Sequence, residues 1–160
     1  MQKEGVERKE ERQILVFHIA KEDLGLDISC VREILRPQVI HPLPKTPDFI
    51  EGVINLRGHI IAVIDLLKKL NMEATEDRRD MRIIICKIKK FIVGLTVNRV
   101  SEIITLSKKD IQPTPEVISM QIEAGFISGI ARLGDRTIVI LNLEDILTNK
   151  EVTKLSKMKR

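Results

Sequence analysis

Residues 49–66 read FIEGVINLRGHIIAVIDL, and residues 126–143 read FISGIARLGDRTIVILNL. The two stretches match in order at phenylalanine, isoleucine, glycine and leucine positions, with an offset of 77 residues. An earlier pair, LGLDISCVREIL at 24–35 and VGLTVNRVSEII at 93–104, matches with an offset of 69 residues. Matches that keep their order while the offset grows slowly indicate two structural copies of one unit. The second copy therefore has extra residues in the loop after Pro115.

Each copy has the pattern of a small β-structure. ILVFHI at 14–19 and MRIIICKI at 81–88 open the copies, and both are rich in β-branched residues and bounded by polar turns. Gly25 and Gly94 suit a bulge or a tight bend, which small barrels need at their corners. Prolines at 42–44 and 113–115 indicate extended crossovers, because proline has no backbone N–H to donate to a neighbouring strand. The sequence predicts a mainly β protein with two SH3-like, five-stranded barrels.

The predicted boundaries follow the two copies. Residues 1–13 form a charged, disordered tail, 14–72 the first barrel, 73–80 a linker, 81–148 the second barrel and 149–160 a basic tail. Short helices are expected after Asp65 and Asn142, and the apolar spacing after residue 143 predicts a C-terminal helix. Asp65 could resemble a phosphoryl-accepting aspartate at a strand end. The second copy has Asn142 there, and helix capping explains both residues.

The charge distribution argues against a nucleic-acid partner. The net charge is +4, yet residues 150–160 alone carry five Lys and Arg against one Glu. The remaining 149 residues are balanced, with 22 basic and 22 acidic side chains. The chain has no Trp, no Tyr and four Phe, so stacking platforms for bases are scarce. A small-barrel RNA-binding protein is therefore the weaker alternative.

No catalytic or metal-binding pattern is visible. His18, His41 and His59 lack the i, i+4 spacing of metal ligands, and there is no Gly-rich phosphate loop. Cys30 and Cys86 lack C-x-x-C spacing and are interpreted as reduced core thiols of an intracellular protein. No apolar run reaches the roughly 18 residues of a membrane span. We expect a binding protein with no enzymatic activity, no cofactor, no metal and no direct membrane insertion.

Arg57 is the polar residue that interrupts the apolar run at 51–66. It lies in the predicted hairpin turn, where the second copy has Gly134. Because the second copy closes this turn without an arginine, a structural requirement for Arg57 is less favoured. A recognition role and a solvated turn arginine both stay open from the residues alone.

From Ile14 to about Leu147 the chain resembles the CheW family of chemotaxis coupling proteins. PLPKTPDFIEGVINLRGHIIAVIDL at 42–66 is close to the family pattern P-x-x-x-x-F-I-x-G-V-x-N-L-R-G-x-I-x-P-V-x-D-L. Ala62 replaces the usual proline, and Asn98 replaces the usual aspartate of a later V-D-x-V motif. The resemblance implies two SH3-like barrels packed about a shared hydrophobic junction.

The resemblance also implies a non-catalytic adaptor between chemoreceptors and a kinase. Its partners would be the cytoplasmic tips of methyl-accepting chemoreceptors and the regulatory domain of the histidine kinase CheA. The protein would be cytoplasmic and recruited to membrane receptor arrays. The family's receptor-binding positions correspond to Val31, Glu33, Gly52 and Arg57. The first three recur in the second copy, which weakens their assignment relative to Arg57.

The repeat adds an expectation about assembly. Two related but unequal barrels favour heterologous contacts, which close into rings when the rotation permits. We expect a monomer in isolation and rings in which the protein alternates with the kinase domain.

Overall fold

The computed structural model describes residues 11–72, 79–113, 124–148, 150–151 and 153–154. Strand β1 begins at Glu11, so the predicted boundary of the tail at residue 13 is wrong by three residues, while residues 1–10 lie outside the described part. The described residues form these strands and helices: β1 (Glu11–Ile19), β2 (Glu22–Asp27), β3 (Val31–Leu35), β4 (Ile50–Leu56), β5 (His59–Asp65), α1 (Leu66–Lys69), β6 (Arg82–Ile88), β7 (Phe91–Val97), β8 (Arg99–Ser107), β9 (Ile111–Gln112), β10 (Ile127–Leu133), β11 (Arg136–Leu141) and α2 (Leu143–Ile146).

The strands form two sheets that have equivalent orders. One has five strands in the order β3-β6-β7-β5-β4, and the other has six in the order β8-β1-β2-β11-β10-β9. The prediction of a mainly β fold with two small barrels is confirmed. The six-stranded sheet exceeds the predicted five because its crossover forms the two-residue strand β9. In the five-stranded sheet the corresponding contact is an isolated bridge between His41 and Val53.

The two copies exchange their first hairpins. Strands β6 and β7 pair with β3 and β5, which come from the first copy. Strands β1 and β2 pair with β8 and β11, which come from the second copy. The predicted division into a barrel of 14–72 and a barrel of 81–148 is therefore wrong. An exchanged hairpin makes the contacts that its counterpart would make, so the repeat alone does not reveal the exchange.

Cleavage of the chain between residues 72 and 79 is expected to leave both fragments in one complex. Each fragment contributes a central hairpin to a sheet that the other fragment completes. Size-exclusion chromatography of the nicked protein in native buffer checks this, with the same sample in denaturant as the control. Two separate peaks in native buffer would contradict the exchanged arrangement.

The exchange produces strands that are buried on both faces. On β1, Ile14 and Val16 pack in the interior of the six-stranded barrel, whereas Leu15 and Phe17 pack in the junction between the sheets. Strand β6 has the same alternation in the five-stranded barrel. Strands covered on both sides need continuous apolar runs, which explains ILVFHI and IIICKI. The junction cluster contains 23 buried residues from both sheets, in agreement with the predicted shared junction.

The paired glycines of β2 and β7 have a packing role. A Cβ on Gly25 would lie 2.5 Å from Cγ2 of Ile14, and one on Gly94 would lie 2.9 Å from Cγ2 of Ile83. The β1–β2 and β6–β7 registers pass both glycines without a shift. The glycines therefore make room inside narrow barrels, and the expected bulges are absent from these two hairpins.

Both helices expected after β5 and β11 are present. The Asp65 side chain accepts a hydrogen bond from the backbone N–H of Lys68 at 3.3 Å, as predicted for an N-cap. Asn142 occupies the same position before α2, but its side chain donates to the carboxylate of Asp145 at 2.7 Å. The capping bond thus forms in the first copy only.

The beginning of the predicted C-terminal tail is tied to the body of the protein. Residues 150–151 and 153–154 are helical, and Glu151 accepts a hydrogen bond from the backbone N–H of Thr148 at 2.7 Å. Nζ of Lys69 donates to both carboxylate oxygens of Glu151 at 2.7 Å. The same ammonium lies 5.0 Å from the ring centroid of Phe49 and 5.7 Å from that of Phe126. The prediction of a tail from residue 149 is therefore wrong at Glu151.

Replacement of Glu151 by glutamine is expected to lower the free energy of unfolding at pH 7 by about 1–3 kcal/mol. The variant leaves the Lys69 ammonium, whose side chain is only 11% exposed, without a carboxylate. Denaturant unfolding measures the difference, and Lys154→Gln at an exposed position of the same helical segment is the control.

The effect of Glu151→Gln should depend on pH. Burial alone would raise the pKa of Glu151, but the hydrogen bonds from Lys69 and from the Thr148 N–H outweigh it and lower the pKa below the ordinary 4.5. A lowered folded-state pKa gives stability that is present above the unfolded value and is lost as the pH falls through the folded value. The difference between wild type and variant should therefore shrink below pH 4.5. A constant difference would contradict this account.

Candidate functional site

A groove of about 860 Å³ opens on the five-stranded sheet. Its floor exposes two large apolar side chains to solvent, Ile60 at 47% and Ile92 at 39%. All five strands contribute to it, and the lining comprises 32–33, Val53, 56–62, Ile85 and 90–93. Exposed isoleucines in a concave surface of this size are typical of a site that a partner covers.

Arg57 and Glu33 form an ion pair at the edge of the groove. Nη1 of Arg57 donates to Oε1 of Glu33 at 3.2 Å, and Nη2 donates to Oε2 at 2.6 Å. Glu33 lies on β3 and Arg57 follows β4, and these strands are the two edges of the sheet. The pair therefore bridges the opening of the barrel. The hydrogen bonds from Arg57 hold the pKa of Glu33 below its ordinary value despite some desolvation.

The backbone at Arg57 has a conformation that disfavours arginine. Its φ is +49°, and Gly58 follows with φ of +86°. At the equivalent turn position of the second copy, Gly134 has φ of +61°. A residue with a Cβ pays a steric cost in this region that glycine does not pay. Ala20, Lys45, Asn71 and Lys89 also have positive φ, so this conformation by itself does not assign Arg57 a role.

The second copy contains an equivalent ion pair that is built from a different position. Nη1 of Arg136 lies 2.6 Å from Oε1 of Glu102, the counterpart of Glu33. Arg136 begins β11, two residues after the position that matches Arg57. The second copy therefore lacks an arginine at the turn position that matches Arg57, but it has one two residues later that makes the equivalent ion pair. Because the ion pair recurs, a structural role for the pair is better supported than the sequence indicated.

The apolar groove itself does not recur in the six-stranded barrel. Asp23 occupies the position of Ile92, and Thr137 occupies the position of Ile60. Oδ2 of Asp23 lies 3.6 Å from Nε of Arg136, so this surface carries a polar network. The sequence analysis missed Ile60 and Ile92. A position-by-position comparison of the copies would have found them, because they are apolar in one copy only.

Two of the four predicted receptor-binding residues lie outside the groove lining. Val31 is half-buried and packs against the junction cluster. Gly52 is buried, and a Cβ on it would overlap the carbonyl oxygen of His41. The backbone of His41 exchanges two hydrogen bonds of 2.9 Å with Val53, which extends the sheet beyond β4. Gly52 therefore permits the crossover to reach β4, whereas Arg57 and Glu33 lie together at the groove.

The described residues offer no arrangement for metal chemistry. Among them, no group of three or more His, Cys, Asp or Glu side chains is placed to hold a metal ion. Cys86 is fully buried in the junction cluster, and burial raises the pKa of its thiol well above the ordinary value. Cys30 packs against the same cluster, and both cysteines are free. In the described part of the chain, no helix is long and apolar enough to cross a membrane.

The fold and the groove define a two-barrel binding protein. The family description "CheW-like domain" matches residues 13–151. The chain is 34% identical over 140 residues to the chemotaxis protein CheW of Rhizobium meliloti, which covers 88% of this chain and 90% of that protein. It is 32% identical over 153 residues to CheW of Treponema pallidum, with 93% and 89% covered.

A solved structure shows the same likeness. The crystal structure of the scaffolding protein TtCheW from Thermoanaerobacter tengcongensis superimposes with a TM-score of 0.80 at 40% identity, covering 88% of this chain and 94% of that one. The chain belongs to the CheW family. It is a chemotaxis coupling adaptor, and the RNA-binding alternative has no support. CheW proteins are known as non-catalytic scaffolds.

Proposed function

We propose that this adaptor couples the cytoplasmic tips of methyl-accepting chemoreceptors to the regulatory domain of the histidine kinase CheA, in the cytoplasm at membrane receptor arrays. The observation that carries the receptor half of this proposal is the groove, with its exposed Ile60 and Ile92 beside the Arg57–Glu33 pair. Receptor tips are helical hairpins, and a helix lays its apolar side into a groove of this kind. The chemistry of the groove supports this mode of binding.

The proposed roles differ among the residues. Ile60 and Ile92 bury apolar surface against the receptor helix, and Arg57 supplies a polar anchor held in place by Glu33. Gly52 acts indirectly, by allowing the backbone of β4 to carry the hairpin that contains Arg57. A receptor contact of Val31 stays a prediction, since its side chain packs toward the junction.

The proposed kinase contacts use apolar residues away from the groove. Val39 is 75% exposed in the first copy, and Ile103 is 54% exposed in the second. Contacts of this heterologous kind would place the adaptor and the kinase domain alternately in a ring. The adaptor alone should be largely monomeric, because transient interfaces are small.

The substitution Ile92→Asp is expected to weaken binding of a receptor-tip fragment at least about tenfold, because the complex would bury an unpaired carboxylate. Ile103→Asp is the matched control, since it places the same charge on an exposed isoleucine of the other barrel. Isothermal titration calorimetry with the full chain measures both. Ile103→Asp should keep receptor affinity and lose one kinase contact.

Two results would contradict the proposal. Equal receptor affinity of wild type and Ile92→Asp would remove the groove as the receptor site. Loss of receptor and kinase binding together in every variant would mean that the two surfaces overlap, and the ring arrangement would fail.

A further inference from the structure

The groove carries an unbalanced positive charge. Its lining includes the cations Arg32, Arg57 and Lys90 and a single carboxylate, Glu33, which gives a balance of +2 when His59 is counted as neutral. Within the described part of the chain, the ion pair between Arg57 and Glu33 is the only one that any of these three cations forms. An apolar floor with a surplus of cations at its rim fits a partner that is apolar in the centre and acidic at its flanks.

The six-stranded barrel has an equivalent arginine, whose guanidinium contacts one carboxylate more than the guanidinium of Arg57 does. Arg136 contacts two carboxylates, Glu102 through Nη1 at 2.6 Å and Asp23 through Nε at 3.6 Å. Asp23 also contacts His18 and so belongs to a local polar network. In the groove, Arg57 contacts the counterpart of Glu102 but has an isoleucine, Ile92, where Asp23 would be.

The hydrogen bonds of Arg57 leave a donor for a second carboxylate. Nη1 and Nη2 both donate to Glu33, whereas Nε has no acceptor among the described residues. A guanidinium has five N–H donors in a fixed plane and commonly binds more than one acceptor. The Arg57 side chain is 69% exposed, so a partner can reach it.

We propose that the helix bound in this groove carries carboxylates beside its apolar stripe, and that one of them binds Nε of Arg57 as Asp23 binds Nε of Arg136. Others lie against Lys90 and Arg32 at the rim. Ile60 and Ile92 cover the apolar stripe between them. This inference rests on the proposed receptor-binding function and adds the chemistry that selects the partner helix.

A phosphate backbone would also be attracted to these cations. The groove floor is aliphatic, and the aromatic rings of its lining are those of Phe91 and His59, so it offers little stacking for bases. The charge balance of +2 is small for a nucleic-acid site. An acidic amphipathic helix therefore fits both the apolar floor of the groove and the cations at its rim. RNA serves as a competitor in the test.

The experiment measures binding of a receptor cytoplasmic-tip fragment to the full chain at low and high salt. The test variant is the double substitution Arg32→Gln and Lys90→Gln. The control is Arg132→Gln, an exposed cation on β10 outside the groove. At low salt the double variant should lose about two- to fivefold in affinity for each cation removed, and its affinity should depend less on salt. The control should match wild type.

The outcomes separate this inference from the function on which it rests. If the double variant keeps wild-type affinity and salt dependence while Ile92→Asp still loses binding, the groove is used and the acidic partner is wrong. If the fragment binds neither wild type nor variants, or if Ile92→Asp has no effect, the proposed function fails as well. If single-stranded RNA displaces the fragment and its binding is lost in the double variant, the groove serves nucleic acid and the inference is overturned.

Discussion

Replacement of Gly52 by alanine should strongly destabilise the five-stranded barrel. The new methyl group would overlap the carbonyl oxygen of His41, and the neighbouring Cα of Pro42 also lies too close at 2.9 Å. Both contacts are with backbone, so no side-chain rotation relieves them. Overpacking of this kind costs about 1–3 kcal/mol or more. The backbone of β4 or the bridge between His41 and Val53 must therefore give way.

Thermal unfolding provides the measurement for Gly52→Ala, and we expect the melting temperature to fall by several degrees. Gly125→Ala is the matched control, because a Cβ there would meet no atom within 4 Å and the backbone has no positive φ. A melting temperature of Gly52→Ala equal to that of the control would contradict the close approach. Receptor binding by any folded fraction would show whether Gly52 acts only through the fold.

The repeat and the short helices could be predicted from the residues themselves, whereas the shared junction was implied by the resemblance to the CheW family. Apolar runs at 14–19 and 81–88 predicted strands, and the structure has strands there that are buried on both faces. The exchange of hairpins could not be predicted in this way. Strands β1 and β6 have equivalent neighbours in both arrangements, so their apolar patterns are the same whichever sheet they join.

The site was only partly predictable for a related reason. Arg57 was visible because it interrupts an apolar run, and the glutamate opposite it recurs in both copies. The ion pair between Arg136 and Glu102 was not visible, because the two arginines stand at different turn positions and still reach equivalent glutamates. Glu151 was assigned to a solvated tail since its partner Lys69 is 82 residues away in the chain.

Charge reversal at Arg57 should strongly weaken receptor binding. Arg57→Glu would place two carboxylates together at the groove edge, in place of the bidentate pair with Glu33. It would also remove the donor that the proposed function assigns to the receptor. We expect affinity for a receptor-tip fragment to fall by on the order of tenfold or more. Arg132→Glu, the same reversal on an exposed residue of β10, should leave affinity unchanged.

The double substitution Glu33→Arg and Arg57→Glu distinguishes a direct receptor contact of Arg57 from a purely structural role in the ion pair. It restores opposite charges across the barrel opening, so thermal stability should return toward the wild-type value. Receptor affinity should stay low, because the guanidinium then projects from β3 and no longer from the turn at the groove edge. If the double variant recovers affinity together with stability, Arg57 contributes only by holding the edges of the sheet together. Recovery of stability alone would assign Arg57 a direct contact, since the ion pair would be intact while the donor for the receptor is in the wrong place.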